Sequence, residues 1–286
     1  MIIVADSGST KTNWSIMNMG SVIYSFRTNG LNPYFMNSAT ITQEIMHNFP
    51  DKINKEKIQN IYFYGAGCSS PQTKHIIFEG CNNVFPGAQI TIESDLLGAA
   101  RAIFFNQKGI ITIMGTGSNT GIYNGEIITH QINSLGFALG DEGSGAHLGK
   151  LLIIDYLHNN LPKDLIKKFE KNHTLSSDDI IYSIYKKPSP GKFLASFTPF
   201  IIENKNHPYV KKLIQQSIQE LFEKYICQYP DYQNYLLGFI GSVAHSLKSE
   251  LEDTAQMYRI NITKIVKDPM KKLVEYHIET EDKNLK

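Results

Sequence analysis

The chain is poor in the features that mark secreted, membrane-spanning and nucleic-acid-binding proteins. It has 3 cysteines in 286 residues without a C-x-x-C spacing, which argues against a disulfide framework or a zinc knuckle and favours a reducing cytoplasm. No signal peptide is expected at its start, and no apolar run approaches the roughly 18 residues of a membrane span. With 28 Lys and Arg against 27 Asp and Glu, no global basic field points to nucleic acid or to an anionic membrane.

Clustered histidines are also missing. The 9 histidines form no H-x-x-x-H or H-E-x-x-H pattern, so zinc held by side chains is not expected. What remains is a chain with 42% hydrophobic residues, long enough for one large domain or two moderate domains with their own cores, and two are expected.

Segment 6–12, with the sequence DSGSTKT, lies between two predicted strands and has the parts of a phosphate-binding hairpin. The carboxylate of Asp6 can organise Mg²⁺, small residues let backbone N–H groups approach phosphate oxygens, and Lys11 offers a mobile positive charge. The P-loop pattern is rejected, because it places the lysine directly after a glycine and before a helix. A polar turn without a ligand is the alternative. The candidate phosphate-binding residues are Gly8, Ser9, Thr10 and Lys11.

Two similar segments of the sequence indicate an internal duplication of the chain. Segment 3–9 reappears about 109 residues later as segment 112–118, and each copy is followed by a second turn and strand, so each half begins with a β-meander. Alternating strands and helices then imply an α/β sheet in each half. We predict domains 1–108 and 109–286, a helical insertion at about 142–227 in the second, and a ligand cleft between the domains.

Sequence periodicity and turn residues set the bounds of the predicted elements. The first half is expected to continue with a strand over 58–64, a helix from Pro71, a strand over 89–93 and a helix over 96–104. The helical run of the second half is expected to break near 161–162, 188–191 and 207–208, followed by a strand over 236–240, a helix over 243–258 and a strand over 260–266.

Asp95 follows a predicted strand and precedes a helix, which places its carboxylate at the edge where such sheets gather ligands. An alcohol that attacks a γ-phosphate must lose a proton, and a carboxylate within about 3 Å of the hydroxyl can accept it. The alternative role of Asp95 is a helix N-cap, and both roles could hold together.

Two glycine-rich segments of the second half also suit a ligand. Segment 115–119 (GTGSN) repeats the small polar turn and suits a second face of a polyphosphate, although any hairpin could use such a turn. Segment 136–145 (GFALGDEGSG) has four glycines and two adjacent carboxylates. Asp141 there could accept hydrogen bonds from sugar hydroxyls, with a helix N-cap as the alternative.

Two further positions suit a sugar or a nucleoside. Asn32, in a turn with the sequence NGLNP, can both donate to and accept from a sugar hydroxyl. Gly241 and Ser242 join a predicted strand to a helix, where a glycine would let an adenine or ribose lie against the backbone. Packing alone also explains a glycine at this kind of junction.

In this order, the motifs resemble the N-acetylglucosamine kinase branch of the BadF/BadG/BcrA/BcrD-type ATPase family over almost the whole chain. That family belongs with the sugar kinases, actin and the heat-shock chaperones. The resemblance implies an α/β fold of two duplicated ribonuclease-H-like, actin-like ATPase domains that close on ATP, and the last helix could pack back on the first domain. The resemblance rests on segments 6–11, 94–95, 115–119, 140–144 and 241–242.

The resemblance also implies a reaction, the transfer of the γ-phosphate of Mg-ATP to the 6-hydroxyl of an N-acetylated amino sugar, with N-acetylglucosamine as the first candidate. Asp95 matches the catalytic base, and Asp6 matches the residue that holds Mg²⁺ through water. The nucleotide-binding positions are Asp6, Gly8, Ser9, Thr10, Lys11, Gly115, Thr116, Gly117, Gly241 and Ser242. The sugar-binding positions are Asn32, Asp95, Ser118, Asn119, Gly136 and Asp141.

Two positions depart from the family pattern. Leu135 stands where the animal enzymes have a tryptophan that could pack on the acetamido group, and Lys272 stands where bacterial relatives tend to have a glycine. The identity of the amino sugar is therefore open.

Two alternative functions do not include sugar phosphorylation. The superfamily includes activases with an iron–sulfur cluster bridging a dimer, but this chain has no cysteine between Cys81 and Cys227 to hold one beside the second turn. An ATP-binding regulatory sensor is the other alternative function.

The expected partner is a small amino sugar, with no nucleic acid and no membrane, and the helical insertion could supply the face of a homodimer.

Overall fold

Two five-stranded sheets carry the fold, one in each of two units. The computed structural model describes residues 1–284. The first unit comprises Met1–Gln107, Tyr123–Ile128 and the segment from Asp268 onward, and the second comprises Lys108–Ile122 and Thr129–Lys267. The predicted α/β class is confirmed.

The elements follow one another along the chain. The first part contains β1 (Ile2–Ser7), β2 (Lys11–Asn18), β3 (Ser21–Asn29), α1 (Ser38–Asn48), β4 (Asn60–Gly65), α2 (Pro71–Asn82), β5 (Gln89–Ser94) and α3 (Asp95–Phe104). The next part contains β6 (Gly109–Met114), β7 (Ser118–Tyr123), β8 (Ile128–Ile132), α4 (Gly136–Leu139), α5 (Gly145–Leu157), α6 (Lys163–Asn172), α7 (Ser177–Tyr185), α8 (Pro190–Ala195), α9 (Thr198–Glu203) and α10 (Pro208–Lys224). The last part contains β9 (Leu236–Ile240), α11 (Ser242–Ser246), α12 (Lys248–Met257), β10 (Ile262–Val266) and α13 (Met270–Asn284).

Both sheets are wound in the same order. The first reads β3-β2-β1-β4-β5, and the second reads β8-β7-β6-β9-β10. In the first, β1 pairs antiparallel with β2 and parallel with β4, which pairs parallel with β5. In the second, β6 pairs parallel with β9, and β9 with β10. The similarity between segments 3–9 and 112–118 therefore corresponds to a repeated strand order.

Alternation along the strands separates the two faces of the first sheet. Ile3 and Ala5 of β1 lie in one hydrophobic core with Trp14 and Ile16 of β2. Trp14 is fully buried and stacks on the ring of Phe26 with 5.4 Å between centroids. Because successive side chains of a strand point to opposite faces, the residues between these positions face the other side of the sheet.

Three helical features differ from the predictions. The predicted helix over 243–258 is two helices, α11 and α12, because Leu247 leaves the helical conformation with φ −108° and ψ 29°. The apolar spacing continues through the fully buried Leu247, so periodicity alone gives no sign of the break. Helix α1 was not predicted, nor was the break before α7, where Ser176 forms a capping box with Asp179.

Within residues 1–284, no helix combines the length and the apolar character needed to cross a membrane.

Helix α13 joins the first unit from the far end of the chain, packing on α3 and β1. Its buried His277 stacks on Tyr62 at 4.1 Å and lies 2.9 Å from the hydroxyl of Tyr64. Arg101 donates to the same hydroxyl at 2.8 Å. Burial, with a smaller effect from the Arg101 charge, lowers the pKa of His277 to about 3. The neutral ring can therefore accept the Tyr64 proton at Nε2.

This histidine should make the stability of the protein depend on pH. The pKa of His277 falls from 6.5 to about 3 on folding. Below about pH 6.5 the unfolded chain therefore binds a proton at this histidine that the folded protein does not, and the folded protein loses stability as the pH falls. Between pH 7.5 and pH 5, the free energy of unfolding should drop by about 2 kcal/mol from this group. In His277→Gln this part of the slope should disappear, and urea unfolding at both pH values measures it. An unchanged slope in the variant would show that His277 is not the titrating group.

Candidate active site

The carboxyl ends of three parallel strands meet at one edge of the first sheet. Ser7 pairs with Gly65, and Gly65 pairs with Ser94, so β1, β4 and β5 end side by side. Asp6 is the last residue but one of β1, and Asp95 follows β5 directly. Strand pairing thus brings these two predicted site residues to the same edge, where ligands gather in such sheets.

The turn between β1 and β2 is closed by a backbone hydrogen bond from Gly8 N–H to the carbonyl of Lys11, at 3.0 Å. At its base, the hydroxyls of Ser7 and Thr12 lie 2.8 Å apart. Gly30 lies against this turn so closely that a Cβ atom there would lie 2.4 Å from the carbonyl oxygen of Gly8. The side chains at the tip are exposed, and they are those of Ser9, Thr10 and Lys11. The predicted hairpin thus exists, with its polar tip available to a ligand.

Asp6 and Asp95 both hold their protons more tightly than ordinary aspartates. Burial, helped by the negative charges of Asp268 and Asp95, raises the pKa of Asp6 to about 7, against a lowering effect of Lys11. Burial raises the pKa of Asp95 to about 6, although the N–H of Leu96 donates to its carboxylate at 2.8 Å and opposes the rise. Two carboxyl groups at this edge therefore titrate close to neutral pH, where proton transfer is most useful.

The N-cap role considered for Asp95 belongs to its neighbour. Ser94 caps α3 and accepts a hydrogen bond from the N–H of Leu97 at 3.2 Å. Asp95 is the first residue of the helix, and its carboxylate accepts hydrogen bonds from the adjacent N–H of Leu96 and from its own N–H. Its position at the sheet edge is therefore not explained by capping.

Asp268 is a residue of this site that the sequence did not reveal. It precedes α13, and its Oδ1 accepts a hydrogen bond from the N–H of Met270 at 3.0 Å. Its Oδ2 accepts from Nδ2 of Asn13 at 3.0 Å and lies 3.8 Å from Nζ of Lys11. An Asp-Pro pair before an apolar pattern is a signal for the start of a helix, but nothing in it places the residue beside Asp6.

Asn32 lies in the loop after β3, in the same unit as Asp95. Its Oδ1 accepts a hydrogen bond from the N–H of Tyr34 at 3.0 Å. Gly67, with φ +82°, lies so near that a Cβ atom there would be 2.7 Å from this oxygen. The loop therefore fixes the orientation of the Asn32 amide, and no described contact joins it to Asp95.

The second unit contains the second predicted turn, between β6 and β7. Gly115 N–H donates to the carbonyl of Gly117 at 3.0 Å, which closes the turn. The carbonyls of Gly115 and Thr116 accept from the N–H groups of Gly145 and Ala146, at 2.8 and 2.9 Å. The turn is therefore attached to the first turn of α5.

Gly241 packs against the same turn. It has φ +136°, and a Cβ atom there would lie 2.1 Å from the carbonyl oxygen of Met114. Only glycine combines this backbone conformation with so close an approach. The structure thus places the junction of β9 and α11 beside the second turn, as nucleotide binding to both would require.

A cavity of about 430 Å³ opens beside this junction, within the second unit. Its lining combines polar backbone and hydroxyl groups with apolar side chains of α8, α9 and α11, and it includes the carboxylate of Glu203. Its lining includes Gly115, Thr116, Pro199, Ile202, Ser242 and Val243.

Asp141 is held in an uncommon backbone conformation, with φ +61°, and is only 8% exposed. Its Oδ1 accepts from the N–H of Ser118 and the hydroxyl of Ser134, each at 3.3 Å. Burial raises the pKa of Asp141, against the lowering effect of these hydrogen bonds. A Cβ atom on Gly117 would lie 2.9 Å from its Oδ2. The N-cap role considered for Asp141 belongs instead to Ser144, which caps α5.

The remaining predicted sugar positions are more exposed or less engaged. The side chain of Asn119 accepts a hydrogen bond from Gln131 at 2.9 Å near the surface. Gly136 begins α4 with φ +71°, and the adjacent Leu135 is 56% exposed. The structure brings Ser118 and Asp141 together, but no described hydrogen bond joins Asn119 or Gly136 to them.

Glu142 follows Asp141 and anchors the same loop. It accepts hydrogen bonds from Nζ of Lys224 and the hydroxyl of Tyr225, each at 2.9 Å. Burial raises the pKa of Glu142, but these hydrogen bonds and the Lys224 charge outweigh burial and the pKa is lowered. The adjacent carboxylates therefore differ in role, since Glu142 anchors the loop to α10 and Asp141 turns toward the second turn.

Comparison with known proteins identifies the fold class. The fold matches that of a ROK family glucokinase from Streptomyces griseus, solved with glucose and AMPPNP, with a TM-score of 0.56 at 13% identity over 96% of this chain and 97% of that one. The two sheets thus form the α/β fold of this sugar kinase.

Closer relatives narrow the class to one family. A Porphyromonas gingivalis protein of known structure, named as a putative N-acetylglucosamine kinase, is 36% identical, covers 98% of this chain and 100% of its own, and superposes with a TM-score of 0.93. The N-acetylmuramic acid/N-acetylglucosamine kinase of Clostridium acetobutylicum is 24% identical over 92% of each chain. No family model matches the chain. The chain belongs to the N-acetylglucosamine kinase family of the P. gingivalis protein, and this kinship supports a sugar kinase activity.

Gly241 should be necessary for the second turn. Gly241→Ala introduces a Cβ atom into the carbonyl of Met114 at φ +136°, so we expect a loss of roughly 1–3 kcal/mol of stability from strain and displacement of the turn. Thermal and urea unfolding measure it. Gly115→Ala is the matched control, because a Cβ atom there meets nothing within 4 Å. Equal stability of the two variants would show that the close packing of Gly241 is not required.

Proposed function

We propose that this protein is an ATP-dependent kinase that transfers the γ-phosphate of Mg-ATP to the 6-hydroxyl of an N-acetylated amino sugar, with N-acetylglucosamine as the first candidate. The observation that carries this proposal is Asp95, a carboxyl group with a pKa raised by burial to about 6, at the same sheet edge as the Asp6 hairpin. We further assign the chain to the BadF/BadG-type branch, with a domain boundary near 108–109 and a helical insertion at about 142–227.

Asp95 is the proposed general base. At neutral pH a carboxyl group with a pKa of about 6 is mostly ionised, yet it is more basic than an ordinary aspartate. It would accept the proton of the sugar hydroxyl as the oxygen attacks the γ-phosphorus. The N–H of Leu96 donates to its Oδ1 at 2.8 Å and orients the carboxylate.

The phosphates and Mg²⁺ would be held mainly by backbone and by Asp6. Mg²⁺ in kinases uses one or two carboxylates together with waters and substrate phosphates, rather than a cage made by protein alone. Over residues 1–284, no group of three His, Cys, Asp or Glu side chains could hold a metal ion, and Asp6 supplies a carboxylate of the required kind. Bound Mg²⁺ would neutralise charge on the β- and γ-phosphates. Gly8, Ser9, Thr10 and Lys11 in the first unit, and Gly115, Thr116 and Gly117 in the second, are the proposed phosphate contacts.

The cavity of the second unit suits a nucleoside. Pro199, Ile202 and Val243 present apolar surface for a purine, and Ser242 presents a hydroxyl for the ribose. Gly241 precedes Ser242 and would let the nucleoside approach the backbone. Its volume of about 430 Å³ lies in the range of small-molecule sites.

The sugar would be recognised by Asn32 and Asp95 of the first unit and by positions of the second unit, which are Ser118, Asn119, Gly136 and Asp141. Asp141 supports this role best, because two donors fix its Oδ1 while its Oδ2 has no described hydrogen bond. Leu135 is 56% exposed and offers no aromatic ring to the acetamido group. N-acetylmuramic acid belongs among the substrates to be tested because the Clostridium acetobutylicum relative is named for it. A cytoplasmic location and a homodimer remain expectations from the sequence.

Product analysis with an Asp95 variant tests the reaction. Purified protein with Mg-ATP and a panel of N-acetylglucosamine, N-acetylmannosamine, N-acetylmuramic acid, glucosamine and glucose should yield one phosphorylated amino sugar by mass spectrometry. Asp95→Asn should retain ATP affinity and lose about 10²- to 10⁴-fold in kcat, and the wild-type rate should fall as the pH drops through about 6. ATP binding without any sugar phosphate would favour a sensor or activase, and lost ATP binding in the variant would make Asp95 structural.

Asp141→Ala should act on sugar binding instead. Removing the carboxylate deprives the sugar hydroxyls of an acceptor, so we expect KM for the sugar to rise by about 10- to 100-fold with little change in KM for ATP. Steady-state kinetics with each substrate varied in turn measure both constants. Glu142→Ala is the matched control, because Glu142 anchors the same loop through Lys224 and Tyr225. Equal effects of the two variants on the sugar KM would mean that loop integrity, rather than contact with Asp141, is responsible.

A further inference from the structure

Asn13 presents an unpaired polar atom in the interior of the first unit. The residue is 8% exposed, and its Oδ1 has no hydrogen-bond partner. Its Nδ2 donates to Oδ2 of Asp268 at 3.0 Å. A buried acceptor without a partner destabilises the folded protein, and a ligand that binds this oxygen would remove that cost.

Strand pairing places this atom beside Asp6. Asp6 and Asn13 are directly opposed in the antiparallel pair of β1 and β2, and opposed residues point to the same face of a sheet. This face is the one opposite the Trp14 core, and α13 packs against β1 and β2 there. The unpaired amide oxygen and the Asp6 carboxylate are therefore neighbours on one face.

We propose that Asn13 Oδ1 is a further oxygen donor to the Mg²⁺ of the bound nucleotide, directly or through a water, and that Asp268 positions it. This inference rests on the proposed function, because it concerns the metal of the same nucleotide. Mg²⁺ and its bound waters are matched by oxygen acceptors such as amide carbonyls and carboxylates. Asp268 engages Nδ2, so the unpaired Oδ1 is the acceptor that Asn13 offers to the site.

Asp268 acts through its neighbours. Its Oδ1 is occupied by the N–H of Met270, and its Oδ2 by Asn13 with Lys11 at 3.8 Å. It therefore orients the Asn13 amide and lies within ion-pair distance of the Lys11 side chain, which is 52% exposed. The Asp268 charge also raises the pKa of Asp6, a repulsion that a divalent cation would relieve.

Calorimetric titration with AMPPNP, in excess Mg²⁺ and separately in EDTA, measures the ratio of the two affinities and requires no catalysis. Asn13→Leu keeps the branched shape and removes the donor oxygen, and we expect the Mg²⁺-dependent gain in affinity to fall about 10- to 100-fold. The affinity in EDTA should change little. Asp268→Asn, at a side chain 40% exposed, should fold in any case and reduce the gain less, because its amide no longer dictates which way Asn13 points.

Ser15→Ala is the matched control, because Ser15 is a buried polar residue on the same face of β2, two positions farther from the turn. It should leave the gain unchanged. If Asn13→Leu and Asp268→Asn both bind AMPPNP with the gain of the wild-type protein, the assignment of Asn13 is wrong and the proposed kinase function stands. If the wild-type protein binds no AMPPNP under either condition, the proposed function fails first and the metal site with it.

Discussion

Parallel pairing of strands is the constraint on which the site of each unit depends. Because β1, β4 and β5 run in one direction, their carboxyl ends fall at a single edge, and residues far apart in the chain become neighbours there. Asp6 and Asp95 share that edge for this reason alone. In the second unit, β6, β9 and β10 repeat the arrangement, and Gly241 reaches the turn after β6 in the same way. The chemistry of both units follows from a strand order that the chain uses twice.

Burial at this edge has opposite effects on stability and on reactivity. Asp6 and Asp95 lose hydration when the unit folds, and the nearby Asp268 adds repulsion at Asp6. In the absence of a ligand this raises the free energy of the ionised, folded protein. Under the proposed function, the same effect would prepare Asp95 to take a proton and Asp6 to attract a cation. Proteins commonly retain such local cost where it serves a reaction.

Short sequence motifs predicted the parts of the candidate site that depend on a few adjacent residues. The two small polar turns, the glycine at the start of α11 and the carboxylate after β5 were all visible as short motifs. Capping was harder to assign, because Ser94 and Ser144 lie within a few residues of Asp95 and Asp141 and each is an equally good N-cap. Asn13 and Asp268 were missed because their roles arise from strand register and from a contact between opposite ends of the chain. Leu247 was missed because a break inside a helix need not interrupt the apolar spacing.

The position of α13 also has a consequence for synthesis. The first unit receives this helix, but the ribosome makes it only after Thr129–Lys267 of the second unit. At roughly 5–20 residues per second, that interval lasts on the order of 10–30 s. Throughout it, the surface that includes Tyr64 and Arg101 lacks the partner that covers it in the finished protein. The part of the chain that is made first is therefore completed last.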